Sequence, residues 1–129
     1  MAQVVIWGHR AALADRRDVV SRAVHGAIME ALDYPPEKCF QRFVLLDEDD
    51  FVHPADRGSD YLIIEISIFE GRSERARREL IKELFDRLAD QAGIAPHSVE
   101  ITITETPRVN WGIRGQNAAD LQLNYDVEV

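Results

Sequence analysis

The sequence is short of cysteine, of long apolar runs and of positive charge, and each shortage excludes something. Its one cysteine, Cys39, can form no internal disulfide and cannot build a cysteine-based zinc site alone. No apolar run approaches the ~20 residues of a membrane span. Met1 to Trp7 has no basic segment ahead of its short apolar stretch, so it reads as a strand rather than a signal peptide. A cytoplasmic location is the expectation. Lys and Arg number 15 against 23 Asp and Glu, a net charge of −8. Such a surface neutralises phosphate poorly, so nucleic acid is not an expected partner. Most basic residues fall between Arg10 and Arg22 and between Arg72 and Arg87, where they read as solvated helix faces.

Recognisable chemistry is also sparse. His9, His25, His53 and His97 show no metal-ligand spacing. Asp47-Glu48-Asp49-Asp50 lacks the alternation and the glycine of a calcium loop and reads as a solvated turn. No serine sits in a nucleophile elbow. The expectation is a protein with no metal and no cofactor.

What is present is one domain's worth of chain. The 129 residues, 46% hydrophobic and 29% charged, suit a single domain over 1–129 with a core of its own. Gln3 to Trp7 is β-branched and apolar, and Gly8 breaks it. From about Asp15 to Leu32, Val19, Val20, Ala23, Val24, Ala27, Ile28, Ala31 and Leu32 make the stripe of an amphipathic helix. Asp33-Tyr34-Pro35-Pro36 ends it, because proline cannot continue a helix. Phe40 to Leu46 predicts a second strand, and Asp47 to Asp60 a loop. The pattern then restarts. Tyr61 to Phe69 predicts a strand, Ser73 an N-cap, and Leu80, Ile81, Leu84, Phe85, Leu88, Ala89 and Ala92 a helix stopped by Gly93. Val99 to Thr104 predicts a fourth strand. Beyond Asn110, the alternation of Leu121, Leu123, Tyr125, Val127 and Val129 predicts a hairpin or loop and a last strand, at an edge or between subunits.

The halves superimpose by number. An offset of 61 carries Val19 through Ala31 onto Leu80 through Ala92 and Phe40 onto Ile101, while 62 carries Ile6, Trp7 and Arg10 onto Ile68, Phe69 and Arg72. This is an internal repeat, about 1–60 and 61–129, of a β-α-β unit. A helix of this length, roughly 25–30 Å, suits the crossover between two parallel strands. The expected fold is α+β: two tandem β-α-β repeats in one four-stranded sheet, with both helices on one face. The uncovered face calls for oligomerisation.

Met-Ala-Gln-Val-Val-Ile-Trp-Gly-His-Arg, then Phe-Glu-Gly-Arg-Ser-Glu at 69–74, Ile-Thr-Ile-Thr-Glu-Thr-Pro at 101–107 and Asn-Trp-Gly-Ile-Arg-Gly at 110–115 resemble the tautomerase superfamily. The nearest resemblance is to its fused-repeat members, such as malonate semialdehyde decarboxylase and cis-3-chloroacrylic acid dehalogenase. The resemblance implies a homotrimer, a pocket near each N-terminus and a small carboxylate ligand held by arginine, without a metal. Arg72 matches the arginine that holds the substrate carboxylate. The family's catalytic residue is a proline exposed as the N-terminus once Met is removed, and Ala2 stands in that place. An alanine α-amine, of pKa ~7.7–8.0, can also move protons near neutrality. If Met1 stays, the amine is displaced by roughly 3.3–3.8 Å. The expectation is that the family's proline chemistry is absent. Cys39 falls where the decarboxylase has a catalytic aspartate, although a lone cysteine is more often a packed residue. The decarboxylase and dehalogenase carry a second arginine a few residues before Arg72, around Phe69, which this chain lacks.

His9 and Arg10, in the first-repeat loop that corresponds to Gly71-Arg72, can line an anion pocket, and loop polarity explains them almost as well. Asn110, Trp111 and Arg114, beside two glycines, can wall a pocket, and Trp111 can equally anchor a subunit contact. The catalytic candidates are therefore Ala2 and Cys39. The substrate-binding candidates are Arg72, Arg10, His9, Asn110, Trp111 and Arg114. Two functions follow. One is a weak or altered isomerase or lyase acting on a small keto or enol carboxylic acid. The other is a non-catalytic trimeric anion binder or scaffold.

Overall fold

The computed structural model describes residues 1–123 and 125–129. The strands form where the alternation is cleanest. In β1 (Ala2–His9) every second residue is buried, starting with Ala2, Val4 and Ile6. In β3 (Leu62–Phe69) Leu62, Ile64, Ile66 and Ile68 are buried in the same rhythm. β2 (Gln41–Leu46) runs parallel to β1, and β4 (Val99–Thr106) runs parallel to β3. The two parallel pairs meet through the antiparallel β1–β3 ladder, giving the order β2-β1-β3-β4.

The register records the repeat. Val4 pairs with Gln41, and Leu62 pairs with Val99, 37 positions on in both. Across the centre, Val4 lies opposite Ile66, its own counterpart in the second repeat. A local two-fold therefore passes through that pair. The ladders place Gln41 level with Ile103, where the sequence offset set Phe40 level with Ile101. The helices end one residue short of the expected 61, at the left-handed caps Asp33 and Gly93.

The second repeat's helix, α3 (Glu74–Ala92), starts and stops as its signals dictate. Ser73 Oγ accepts the Ala76 N–H at 3.0 Å, and Gly93 closes the helix in the left-handed region at φ 68°. The first repeat differs. Instead of one helix from about Asp15, the chain enters a short helix, α1 (Arg10–Leu13), passes a 3-10 turn (Ala14–Arg16) and continues as α2 (Arg17–Leu32). The absence of a side chain at Gly8 permits this early turn. A Cβ there would lie 2.8 Å from the ends of both Leu13 and Leu62.

α2 and α3 pack side by side over one face of the sheet, and the core lies between. Ile64, Ile66, Leu80, Leu84 and Leu88 are fully buried, each worth about 1.5–3 kcal/mol of transfer free energy. The opposite face shows half-buried Val5, Trp7, Val44 and Ile63.

The last strand predicted from Leu121 to Val129 does not form among the described residues; residue 124 lies outside them. Its alternating apolar side chains go to two clusters instead. Tyr125 and Val129 pack on the main core, and Leu123 and Val127 pack on a small cluster around Met1, Phe69 and Ala118. The hairpin ahead of it is real but short: β5 (Gly112–Ile113) and β6 (Gln116–Asn117), turning through Arg114 and Gly115, both at positive φ.

Candidate functional site

The antiparallel pairing of β1 and β3 sets Ala2 opposite Ile68, so the start of the chain meets the end of β3. Phe69, Glu70, Gly71 and Arg72 then lead into α3. Gly71 takes φ 126°, with the Val127 carbonyl oxygen 3.1 Å from where a Cβ would stand. That conformation swings Arg72 inward. Its Nη1 donates to the Phe69 carbonyl at 3.2 Å, and the side chain is buried, with the residue only 4% exposed. Among the described residues, Nε and Nη2 of this guanidinium are buried without a partner. Burying unpaired donors is costly, so a guanidinium held this way is poised to take acceptor atoms from outside the chain. Here the two nitrogens belong to the fork that matches a carboxylate.

Three further groups close around it. Tyr34, just past the left-handed Asp33 that ends α2, accepts the Ala2 backbone N–H on its hydroxyl at 3.0 Å. Tyr125 stands edge-on to Tyr34, ring centres 5.0 Å apart, and its hydroxyl is hydrogen-bonded to the α-nitrogen of Met1. The Arg72 guanidinium lies 5.9 Å from the centre of the Tyr125 ring. Arg108 donates from Nη2 to the carbonyls of Ala118 and Leu121, at 2.9 and 2.7 Å, and passes 5.8 Å from the Phe69 ring.

Burial decides the charge states. The Met1 α-amine is lowered from 8.0 to about 4, first by desolvation and then by the positive charges of Arg72, Lys38 and Arg108. At neutral pH it holds an unprotonated lone pair. Burial pushes the Tyr34 and Tyr125 hydroxyls up, so both stay protonated. Burial also lowers Arg72 from its ordinary value, with the two tyrosines opposing the shift, yet a guanidinium remains a cation. The site is a neutral amine, two neutral hydroxyls and a buried cation within one small volume.

The structure brings together some of the expected residues and separates others. Ala2 and Arg72 come to the same end of the sheet, Ala2 on Tyr34 and Arg72 beside Tyr125. Trp111 joins them at one remove, edge-on to Phe69 at 4.9 Å. Asn110 faces an open recess of about 420 Å³ under the β5–β6 hairpin, and Arg114 sits at the hairpin's tip. Cys39 is exposed, in a shallow dip with Gln3 and Phe40 before β2. His9 and Arg10 lie at the far end of β1, roughly 25 Å from Met1. There Arg10 is exposed and bonded to Asp47 and the Leu45 carbonyl. Tyr34, Tyr125 and Arg108 carry no sequence signal of their own. Tyr34 reads only as part of a helix stop, and Tyr125 as a strand residue.

Known proteins resemble this chain in sequence and in fold. The 2-hydroxymuconate tautomerase of Stutzerimonas stutzeri is 38% identical over 56 residues, 43% of this chain and 89% of that protein. One from Pseudomonas putida is 33% identical over 57 residues, 44% and 90%. Among solved structures, malonate semialdehyde decarboxylase matches with a TM-score of 0.81 at 21% identity, over 93% of this chain and 99% of that one. A fused 4-OT, an asymmetric trimer, matches with a TM-score of 0.77 at 18% identity, over 91% and 96%. At such identities the structural likeness speaks for the fold alone. The sequence profile of the tautomerase enzyme family matches residues 38–114, more than half the chain, and the protein belongs to that family.

Proposed function

We propose that this chain is a tautomerase-type isomerase of weak or altered activity on a small keto or enol carboxylic acid, with the α-amine of Met1 in place of a proline. The observation that carries the reading is the contact geometry around Arg72. A buried guanidinium with two unpaired nitrogens shares its surroundings with an amine lowered to about 4.

Arg72 Nε and Nη2 offer two N–H donors to the ligand's carboxylate. The neutral amine takes the hydroxyl proton of the enol. The oxygen's electrons form the carbonyl, and the double-bond pair takes a proton at carbon from the new ammonium, which is neutral again. The Tyr34 and Tyr125 hydroxyls donate to the oxygen as its charge develops. Weakness follows from the same burial. An amine far below the working pH is always available but is a poor proton acceptor, and general-base catalysis is best when the two match.

One observation favours the second reading, a non-catalytic anion binder or scaffold. Tyr125 lies against Arg72, Val127 lies against the preceding Gly71, and the following Ser73 donates from Oγ to the Val129 carbonyl oxygen at 3.0 Å. A ligand reaches Arg72 only if that segment moves.

The test begins with an intact-mass measurement that fixes the first residue. Phenylpyruvate enol is then offered to the wild type and to Arg72→Ala. Slow ketonisation that disappears in Arg72→Ala supports the isomerase. Carboxylate binding with no turnover supports the binder. A wild type as fast as proline-bearing relatives contradicts the account of weakness.

The assembly we propose is a homotrimer. Both helices cover one face of the sheet, and half-buried Val5, Trp7, Val44 and Ile63 on the other are left for neighbouring copies. Light scattering that finds a stable monomer at micromolar concentration overturns it.

A further inference from the structure

The far end of β1 holds a cluster that the isomerase reading does not use. β1 ends at His9, and the acidic loop after β2 returns His53 to it, with the two Nε2 atoms 2.7 Å apart. His53 Nδ1 lies 3.0 Å from the Pro54 carbonyl oxygen, which can only accept, so Nδ1 carries the hydrogen. With its hydrogen on Nδ1, His53 can present a lone pair at Nε2 for His9 to donate into.

Aromatic rings hold the pair in place. Phe51 lies 4.8 Å from the His9 ring, and Tyr61, itself buried, lies 4.7 Å from the His53 ring. Both histidines are half-buried and line a cavity of about 710 Å³. Asp47 and Glu48 line it too. The cavity's one lining arginine, Arg10, is already engaged by Asp47 at 3.1 Å and by the Leu45 carbonyl at 3.1 Å. With Asp47 paired to Arg10, Glu48 leaves the lining one negative charge in excess, which favours a positive ligand over an anion.

We propose that His9 and His53 form a binding site for a divalent transition-metal cation that favours imidazole: Zn²⁺, Cu²⁺ or Ni²⁺. The ion replaces the hydrogen between the two Nε2 atoms, and His9 moves its own hydrogen to Nδ1, so no proton need leave the pair. Ligands 2.0–2.1 Å from a tetrahedral ion stand about 3.3 Å apart, so the rings part by roughly half an ångström. The bond from His53 Nδ1 to the Pro54 carbonyl is the outer support that a metal-bound imidazole requires. Among the described residues no set of three or more His, Cys, Asp or Glu side chains converges on one point, so water completes the shell. His9 and His53 are 44 positions apart, which is why their spacing in the sequence is silent. This inference stands apart from the chemistry at Arg72.

The test uses the full-length, tag-free chain. Zn²⁺ is titrated calorimetrically into the wild type, His9→Gln, His53→Gln and the control His25→Gln, with circular dichroism confirming that each folds. Cu²⁺ bound to the wild type is examined by electron paramagnetic resonance. The expected result is one ion per chain, affinity weakened at least ~10-fold in His9→Gln and His53→Gln, no change in His25→Gln, and hyperfine structure from two imidazole nitrogens. Unchanged affinity in both His9→Gln and His53→Gln, or a copper spectrum with fewer than two imidazole nitrogens, overturns the proposal.

Discussion

The hydroxyl of Tyr34 accepts the backbone N–H of Ala2 at 3.0 Å, which ties the end of α2 to the start of β1. Both residues are buried. Tyr34→Phe keeps the ring and removes the acceptor, so the Ala2 amide is left unsatisfied in the core. The expected loss is about 1–3 kcal/mol of unfolding free energy, read as a lower urea midpoint at unchanged slope. An unchanged midpoint means that the contact contributes nothing.

The Met1 amine makes stability depend on pH, and the sign is fixed. Its pKa is about 4 in the fold and 8.0 when exposed. Between those values the unfolded chain binds more protons, so this group's contribution to stability rises with pH from about 4 to 8 and is complete above 8. It is lost as the pH falls through that window. Blocking the amine by N-terminal acetylation changes the packing but removes this titration. The difference in melting temperature between free and acetylated chains should therefore vary between pH 4 and 8 and level off above 8. A difference that is flat from pH 5 to 8 rules out a depressed amine.

Arg72 and Arg10 occupy matching places in the two repeats and should behave differently. Arg72→Ala should weaken binding of a small dicarboxylate by about 1.5–3 kcal/mol, the range for bonds to charged groups. Arg10→Ala should leave that binding unchanged. It should cost at most about 1 kcal/mol of stability, because its bond to Asp47 is exposed. Calorimetry on the two variants decides. Equal losses mean that the buried and the exposed arginine are not distinguished as described.

Gly8 sits where β1 turns into α1, against two fully buried leucines. Gly8→Ala pushes a methyl group to 2.8 Å from Leu13 and Leu62. Overpacking of this kind costs about 1–3 kcal/mol. A melting temperature equal to the wild type shows that the leucine ends yield freely.

Much of the fold is legible in the residues. The alternation in β1 and β3, the Ser73 cap and the Gly93 stop act locally, and local signals survive into the structure. The repeat foretells the sheet, since matching residues Val4 and Ile66 pair across its centre. The offsets slip by one because helices and ladders are aligned by packing, which numbering does not see. The alternation from Leu121 to Val129 misleads. Period two also describes a segment whose side chains go to two different clusters, as Leu123 and Tyr125 do. Arg72 is readable from the Gly-Arg-Ser turn, but its burial is not, because that depends on Tyr34 and Tyr125, distant in the chain. His9 and Arg10 look like partners of Arg72 by sequence position, yet the antiparallel β1–β3 ladder sends them to the opposite end.

The ionisation of an α-amine that feels the charge of a buried guanidinium can be measured directly. The chain has two methionines, Met1 and Met29, so selective ¹³C labelling of methionine isolates the first residue's Cα resonance. Its chemical shift, followed from pH 3 to 9 in the wild type and in Arg72→Ala, reports the amine's ionisation. The account predicts a midpoint near 4 in the wild type and a higher one in Arg72→Ala, where one of the charges that lower it is gone. A wild-type midpoint near 8, unmoved by Arg72→Ala, would contradict it.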